Sequence, residues 1–125
     1  MSYGQDMERF MLLGGQTVNA RNLEQAGRYA HHCEEEAKET REAFDAGDLV
    51  KTLDGAVDMI FVALGLIHSL GVDPDAAWAV VLRANMSKVE GEIHRRPDGQ
   101  IGKGPNFVPP EPGLSKLLGL ENSYE

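Results

Sequence analysis

The sequence predicts an all-α protein that ends in an irregular Gly/Pro-rich C-terminal segment. Three observations lead there. Apolar residues recur at helical spacing through the first ninety residues. Gly and Asp fall between the periodic stretches as helix stops and starts. From Gly91 onward Gly99, Gly102, Gly104, Pro97, Pro105, Pro109, Pro110 and Pro112 break any long helix. At 125 residues one domain is expected, with a helical core over about 3–90 and a loop-rich tail over 91–125.

The first helix is expected over 3–13, where Met7, Phe10 and Met11 make one apolar face. Gly14 and Gly15 end it, and 16–19 is a connector. A long helix follows over about 22–46. Its apolar stripe is Leu23, Ala26, Ala30, Cys33, Ala37 and Phe44, a thin seam for packing on other helices. Beside that seam run His32, Glu35, Glu39 and Glu42, with Glu36 between the two stripes. Gly47 closes this helix and Asp48 is a good N-cap for the next.

The third helix, about 49–70, is apolar almost all round, as in a buried helix. Asp54 and Asp58 lie one turn apart within it, and a buried carboxylate is costly unless paired or metal-bound. Asp73 and Pro74 open a fourth helix, to about residue 89, with Ala77, Trp78, Val81, Leu82 and Met86 facing the core. In the tail, Pro97-Asp98-Gly99-Gln100 reads as a turn at a small hairpin tip, and 114–120 as one or two last helical turns.

The second and third helices are joined so tightly that they should pack antiparallel. Glu35, Glu36 and Glu39 then lie as far from the turn as Asp54 and Asp58, which makes a facing set of carboxylates. Three carboxylates in one turn repel one another unless a cation binds. Oxygen-only ligands favour Mg²⁺ or Mn²⁺ over zinc or copper. Such a site supports metal-assisted hydrolysis of a phosphoanhydride. No Glu is followed three residues later by His, so a di-iron bundle site is disfavoured. A lone Cys33 makes no zinc site and reads as a small core residue.

The bulk numbers exclude other classes. A net charge of −8 argues against nucleic-acid binding, which needs a basic footprint. One cysteine fits a reducing compartment. Residues 1–10 lack the apolar core of a signal peptide, and the longest apolar run, 59–67, is too short to span a bilayer. A cytoplasmic protein without membrane association is the expectation.

Glu35-Glu36-Ala37-Lys38-Glu39 followed by Asp54-Gly55-Ala56-Val57-Asp58 resembles the MazG-like all-α NTP pyrophosphatase superfamily, which is related to phosphoribosyl-ATP pyrophosphohydrolase and the dimeric dUTPases. Phe10-Met11, Gly15-Gln16, Arg83-Ala84-Asn85-Met86-Ser87-Lys88 and Asp98-Gly99-Gln100-Ile101-Gly102-Lys103-Gly104-Pro105-Asn106-Phe107 resemble a single-domain phage and bacterial branch of it. The resemblance covers roughly residues 8–112. It implies a four-helix MazG-like bundle completed by dimerisation, as a homodimer or a dimer of dimers. It implies hydrolysis of a (deoxy)nucleoside triphosphate to the monophosphate and pyrophosphate, with Mg²⁺, or Mn²⁺, held by Glu35, Glu36, Glu39, Asp54 and Asp58. Glu35 or Glu36 would orient the attacking water. Gln16, Asn85, Lys88, Lys103, Asn106 and Phe107 would bind substrate, with Phe107 stacking on the base. The sequence departs from the pattern at Gly55, where the family's Glu is usual; Asp54 is adjacent but projects about 100° away around the helix. A non-catalytic helical module that binds nucleotide or protein is the alternative; a phosphoribosyl-ATP hydrolase is a third reading, ranked below it because the long Gly/Pro-rich tail resembles the other branch.

Overall fold

Short-range capping chemistry sets the helix boundaries. The computed structural model describes residues 1–120, and these form α1 (Tyr3–Leu13), α2 (Leu23–Asp45), α3 (Leu49–Ser69), α4 (Pro74–Ser87) and α5 (Glu111–Leu117). Among the described residues there is no strand, only the isolated bridges Arg21–Leu70 and Arg95–Ile101. The end of the expected tail, 121–125, lies outside them. The chain divides into two compact units, Met1–Pro74 and the part from Asp75 on. Among the described residues no helix is long and apolar enough to cross a membrane.

In the first unit α1 opens with a reciprocal cap: Ser2 Oγ accepts from Gln5 N at 3.1 Å, and Gln5 Oε1 accepts from Ser2 N at 3.0 Å. Met7 and Met11 are buried. Phe10, expected beside them, is half exposed and sets its ring edge-on to Phe61 at 4.9 Å. At the far end of α3, His68 is buried and its Nε2 donates to Gly4 O at 2.8 Å, which pins the start of α1. A carbonyl only accepts, so Nε2 carries the proton.

Helices α2 and α3 pack antiparallel. Asn22 caps α2 by accepting from Gln25 N at 3.1 Å, and Asp48 caps α3 by accepting from Lys51 N at 3.0 Å. The turn between them uses Gly47 at φ +74°, a left-handed conformation that glycine adopts at no steric cost. Their register is visible in three pairs: Gln25 with Ser69, Tyr29 with Gly65, and Thr40 with Gly55. Buried Gln25 uses its whole amide. Nε2 donates to Thr17 O and Ser69 Oγ, both at 2.9 Å, and Oε1 accepts from Thr17 N at 3.0 Å. A Cβ at Gly65 would stand 2.3 Å from the Tyr29 ring, so the ring lies directly on α3 backbone. Met7, Met11 and Tyr29 form the buried cluster, with Val18, Val62, Leu64 and Leu66 against it.

The packing faces differ from the expected ones. Of the α2 seam, Ala26 is buried, but Leu23 is 67% and Phe44 59% exposed, and Ala30 and Ala37 are exposed too. Helix α3 does not seat on that seam; it seats on the flank bearing Tyr29, Glu36 and Thr40, because its own glycines face that way. The residues that α3 buries are Gly55, Gly65, His68 and Ser69. Its large side chains Leu49, Val50, Leu53, Val57 and Ile60 point elsewhere and are exposed.

In the second unit Ala84 and Ser87 are the buried residues of α4, while Trp78 is 67% exposed and Leu82 and Met86 are exposed as well. The tail selects that face: Val108 N donates to Ser87 Oγ at 2.8 Å, and Gly113 lies against Val80. The turn at 97–100 is present. Gly99 takes φ +86°, Gln100 N donates to Asp98 Oδ1 at 3.0 Å, and Arg96 N donates to Gln100 O at 2.8 Å. Helix α5 starts three residues before the expected 114. Pro112 falls in its first turn, where a missing N–H costs no helical bond.

Two substitutions probe the α2–α3 contact. Gly65→Ala forces a methyl into the Tyr29 ring and should cost about 1–3 kcal/mol. Tyr29→Phe removes the hydroxyl that donates to Gln16 Oε1 and should cost about 1 kcal/mol. Urea unfolding measures both.

Candidate active site

The α2–α3 register brings carboxylates from both helices to the turn end of the pair. Glu36 comes level with Asp58 and Thr40 with Gly55. Between them lies a cleft of about 500 Å³, lined from α2 by Glu36, Glu39, Thr40, Glu42, Ala43 and Ala46, and from the start of α3 by Asp48, Lys51, Asp54, Gly55 and Asp58. Thr40 Oγ1 donates back to Glu36 O at 2.6 Å, so its hydroxyl serves its own helix.

Six acidic side chains and one cationic one, Lys51, line this cleft. Glu36 is half-buried. Desolvation pushes its carboxyl above the ordinary range, and the negative charges of Glu39, Asp58, Asp54 and Glu35 push it further. The expectation of buried aspartates is corrected: Asp54 is exposed and Asp58 half-buried, because both face the open cleft rather than the core.

Among the described residues no three His, Cys, Asp or Glu side chains converge closely enough, as they stand, to hold a metal ion. The donor set is nevertheless of the right kind for a hard divalent cation. It is all oxygen, it comes from two helices, and desolvation together with like charge raises one member's pKa.

Four of the five expected metal residues, Glu36, Glu39, Asp54 and Asp58, share this cleft. Glu35 does not line it: its Oε1 lies 2.6 Å from His31 Nε2 one turn back. Gln16 is occupied in the first unit, where its Oε1 accepts from Tyr29 OH at 2.5 Å. The remaining expected substrate residues lie in the second unit. Lys103 and Lys88 bring their ammoniums over the Phe107 ring, at 5.0 and 5.9 Å from its centre. Asn106 packs near Gly91. Asn85 donates to Val81 O of its own helix at 3.1 Å. Burial pushes the Cys33 thiol up, which keeps it protonated and unreactive.

Thr40 and Lys51 also line the cleft without any signal in the sequence pattern, and Glu42, which the pattern places only in the acidic stripe, joins them. Asp48 was read only as a cap. Lys51 follows three residues after that cap, which places it on the first turn of α3 beside the acidic stripe.

The family model for phosphoribosyl-ATP pyrophosphohydrolase matches residues 16–85. The chain belongs to the phosphoribosyl-ATP pyrophosphohydrolase family. That family lies within the MazG-like all-α NTP pyrophosphatase superfamily, as the carboxylate pattern indicates. Comparison with curated proteins gives no match. The matched stretch of this pyrophosphohydrolase-family chain contains every cleft residue and Asn85, and stops short of Lys88, Lys103, Asn106 and Phe107. Membership points to nucleotide pyrophosphohydrolase activity in general.

The direction of the Glu36 shift sets a pH dependence. Between an ordinary Glu pKa and the raised one, the folded chain holds more protons than the unfolded chain. Stability without metal therefore falls as pH rises through that window, and stays lowered above it. Glu36→Gln lacks this loss. Urea unfolding in EDTA should show the variant gaining on the parent as pH rises out of the ordinary Glu range toward neutrality.

Proposed function

We propose that the chain hydrolyses a nucleoside triphosphate, ribo or deoxy, to the monophosphate and pyrophosphate with Mg²⁺. The observation behind this reading is the convergence of Glu36, Glu39, Asp54 and Asp58 on one cleft within the family-matched stretch. These four would hold Mg²⁺, or Mn²⁺. When bound, the ion would neutralise phosphate oxygens and make a water more acidic.

The chain's own residues do the rest. Glu36 accepts a proton from the attacking water. The water oxygen bonds to the α-phosphorus, and the α–β bridging oxygen leaves with pyrophosphate. Lys51 takes a phosphate oxygen as a point charge. In the second unit Lys88 and Lys103 are drawn together over Phe107; these three, with Asn85 and Asn106, are proposed as a separate set of substrate contacts. Glu35, paired with His31, keeps a supporting electrostatic role.

The active form is a homodimer or a dimer of dimers. The support is the apolar stripe of Val50, Leu53, Val57 and Ile60 on α3, exposed in the single chain. Burial of apolar surface is worth about 25 cal/mol per Å², so a second copy covering that stripe would stabilise both and complete a four-helix bundle. The expected site is cytoplasmic, where nucleotides are present.

The rival reading is a module that binds nucleotide without turnover. Gly55 and the splayed carboxylates favour it. Thermal shift with Mg²⁺ and non-hydrolysable nucleotides, run beside turnover, separates the two.

Pyrophosphate release is read with malachite green after added inorganic pyrophosphatase, across NTPs, dNTPs and phosphoribosyl-ATP. Turnover of at least one is expected; no release from any of them refutes the hydrolase. Glu39→Gln should lower the rate at least about 100-fold with unchanged circular dichroism. Light scattering after gel filtration should give a dimer or larger for the parent and a smaller species for Leu53→Asp.

A further inference from the structure

At Gly55 α3 presents bare backbone to α2. A Cβ there would stand 2.2 Å from Thr40 Oγ1, 3.1 Å from Thr40 Cβ and 3.3 Å from Thr40 Cα. The second and third distances involve the stem of residue 40 and its backbone, so no rotation of Thr40 alone makes room. The hydroxyl is also held, through its bond to Glu36 O at 2.6 Å. By contrast, a Cβ at Gly27 on the exposed side of α2 would meet nothing within 4 Å.

We propose that Thr40 and Gly55 form a positioning contact that sets the width of the acidic cleft. In this role Gly55 is a point of close approach between the helices, not a ligand position left empty. The proposal rests on the metal-site reading above.

Thr40 follows Glu36 and Glu39 on α2, and Gly55 lies between Asp54 and Asp58 on α3. The contact therefore sits within about one helical turn, ~6 Å, of all four carboxylates. A methyl at residue 55 clears Thr40 only if the hydroxyl turns away and the two helices part by a few tenths of an ångström. Mg²⁺ demands ligands at 2.0–2.1 Å in near-ideal octahedral geometry, so a change of that size at this point is felt by every ligand. A carboxylate at residue 55 would have to displace Thr40 and its backbone before it reached the cleft. Asp54, one residue earlier, reaches the cleft without that conflict.

The test uses the full chain, stripped of metal, with Mn²⁺ alone as the probe and free Mn²⁺ followed by electron paramagnetic resonance. Melting temperature is recorded in parallel. Gly55→Ala should weaken Mn²⁺ binding at least tenfold. Thr40→Ala, which removes the seat without a clash, should weaken it about threefold, and Thr40→Ser should retain it. The double variant Gly55→Ala/Thr40→Ala should bind more tightly than Gly55→Ala, because the new methyl takes the space of the lost hydroxyl. Gly55→Glu should bind less tightly than the parent. If Gly55→Ala does not fold, Thr40→Ala decides: weakened binding supports the proposal and parental affinity overturns it. Tighter binding by Gly55→Glu overturns it by showing an empty ligand position. A lowered melting temperature with parental Mn²⁺ affinity in Gly55→Ala overturns it by showing a purely structural contact. No Mn²⁺ binding by the parent refutes the metal-site reading, and this inference with it; binding by the parent with insensitive variants refutes this inference alone.

Discussion

The first unit depends on how closely two helices can approach. At two of the three contacts that mark the α2–α3 register, one partner is glycine. Tyr29 lies on Gly65, and Thr40 on Gly55. Backbone-to-side-chain contact of this kind leaves little slack, because interiors are close-packed and respond to single methyl groups. Two such points, ten residues apart on α3, define a line of contact rather than a hinge. That line determines which side chains face each other, and so which acids share a cleft.

Local signals made the helix boundaries legible. Asn22, Gly47, Asp48 and Pro74 each act through groups within a few residues, and each stands at or beside an observed helix end. Faces were less legible. The stripe of Leu23, Ala30, Ala37 and Phe44 has sound helical spacing, yet glycines on α3 draw the neighbour to the adjacent flank. Trp78 was misplaced for a related reason: the tail covers Ala84 and Ser87 through backbone and hydroxyl bonds that no hydropathy pattern records. Helix α5 was partly hidden because Pro112 reads as a breaker unless it is already known to sit in a first turn.

At the site, residue types were legible and their partners were not. The carboxylate pattern led to Glu36, Glu39, Asp54 and Asp58. Glu35 entered with the acidic stripe of Glu39 and Glu42, and its bond to His31 one turn back takes it away from the cleft that those two line. Lys51 lacked any periodic signal, since its place in the cleft depends on where the α2–α3 turn ends. Gln16 shows the reverse case. A residue expected to meet ligand instead accepts a bond from Tyr29, the ring seated on Gly65.

The polar bonds of Gln25, Ser69 and His68 lie at one end of the α2–α3 pair, and the acids at the other. The acids therefore crowd the end that the Gly47 turn already ties together, while neutral polar bonds hold the far end. Chain connectivity, not attraction, keeps those like charges side by side, and each repels its neighbours. A cation entering the cleft would relieve that repulsion where the chain cannot, and would leave the bonds of Gln25 and His68 outside its reach.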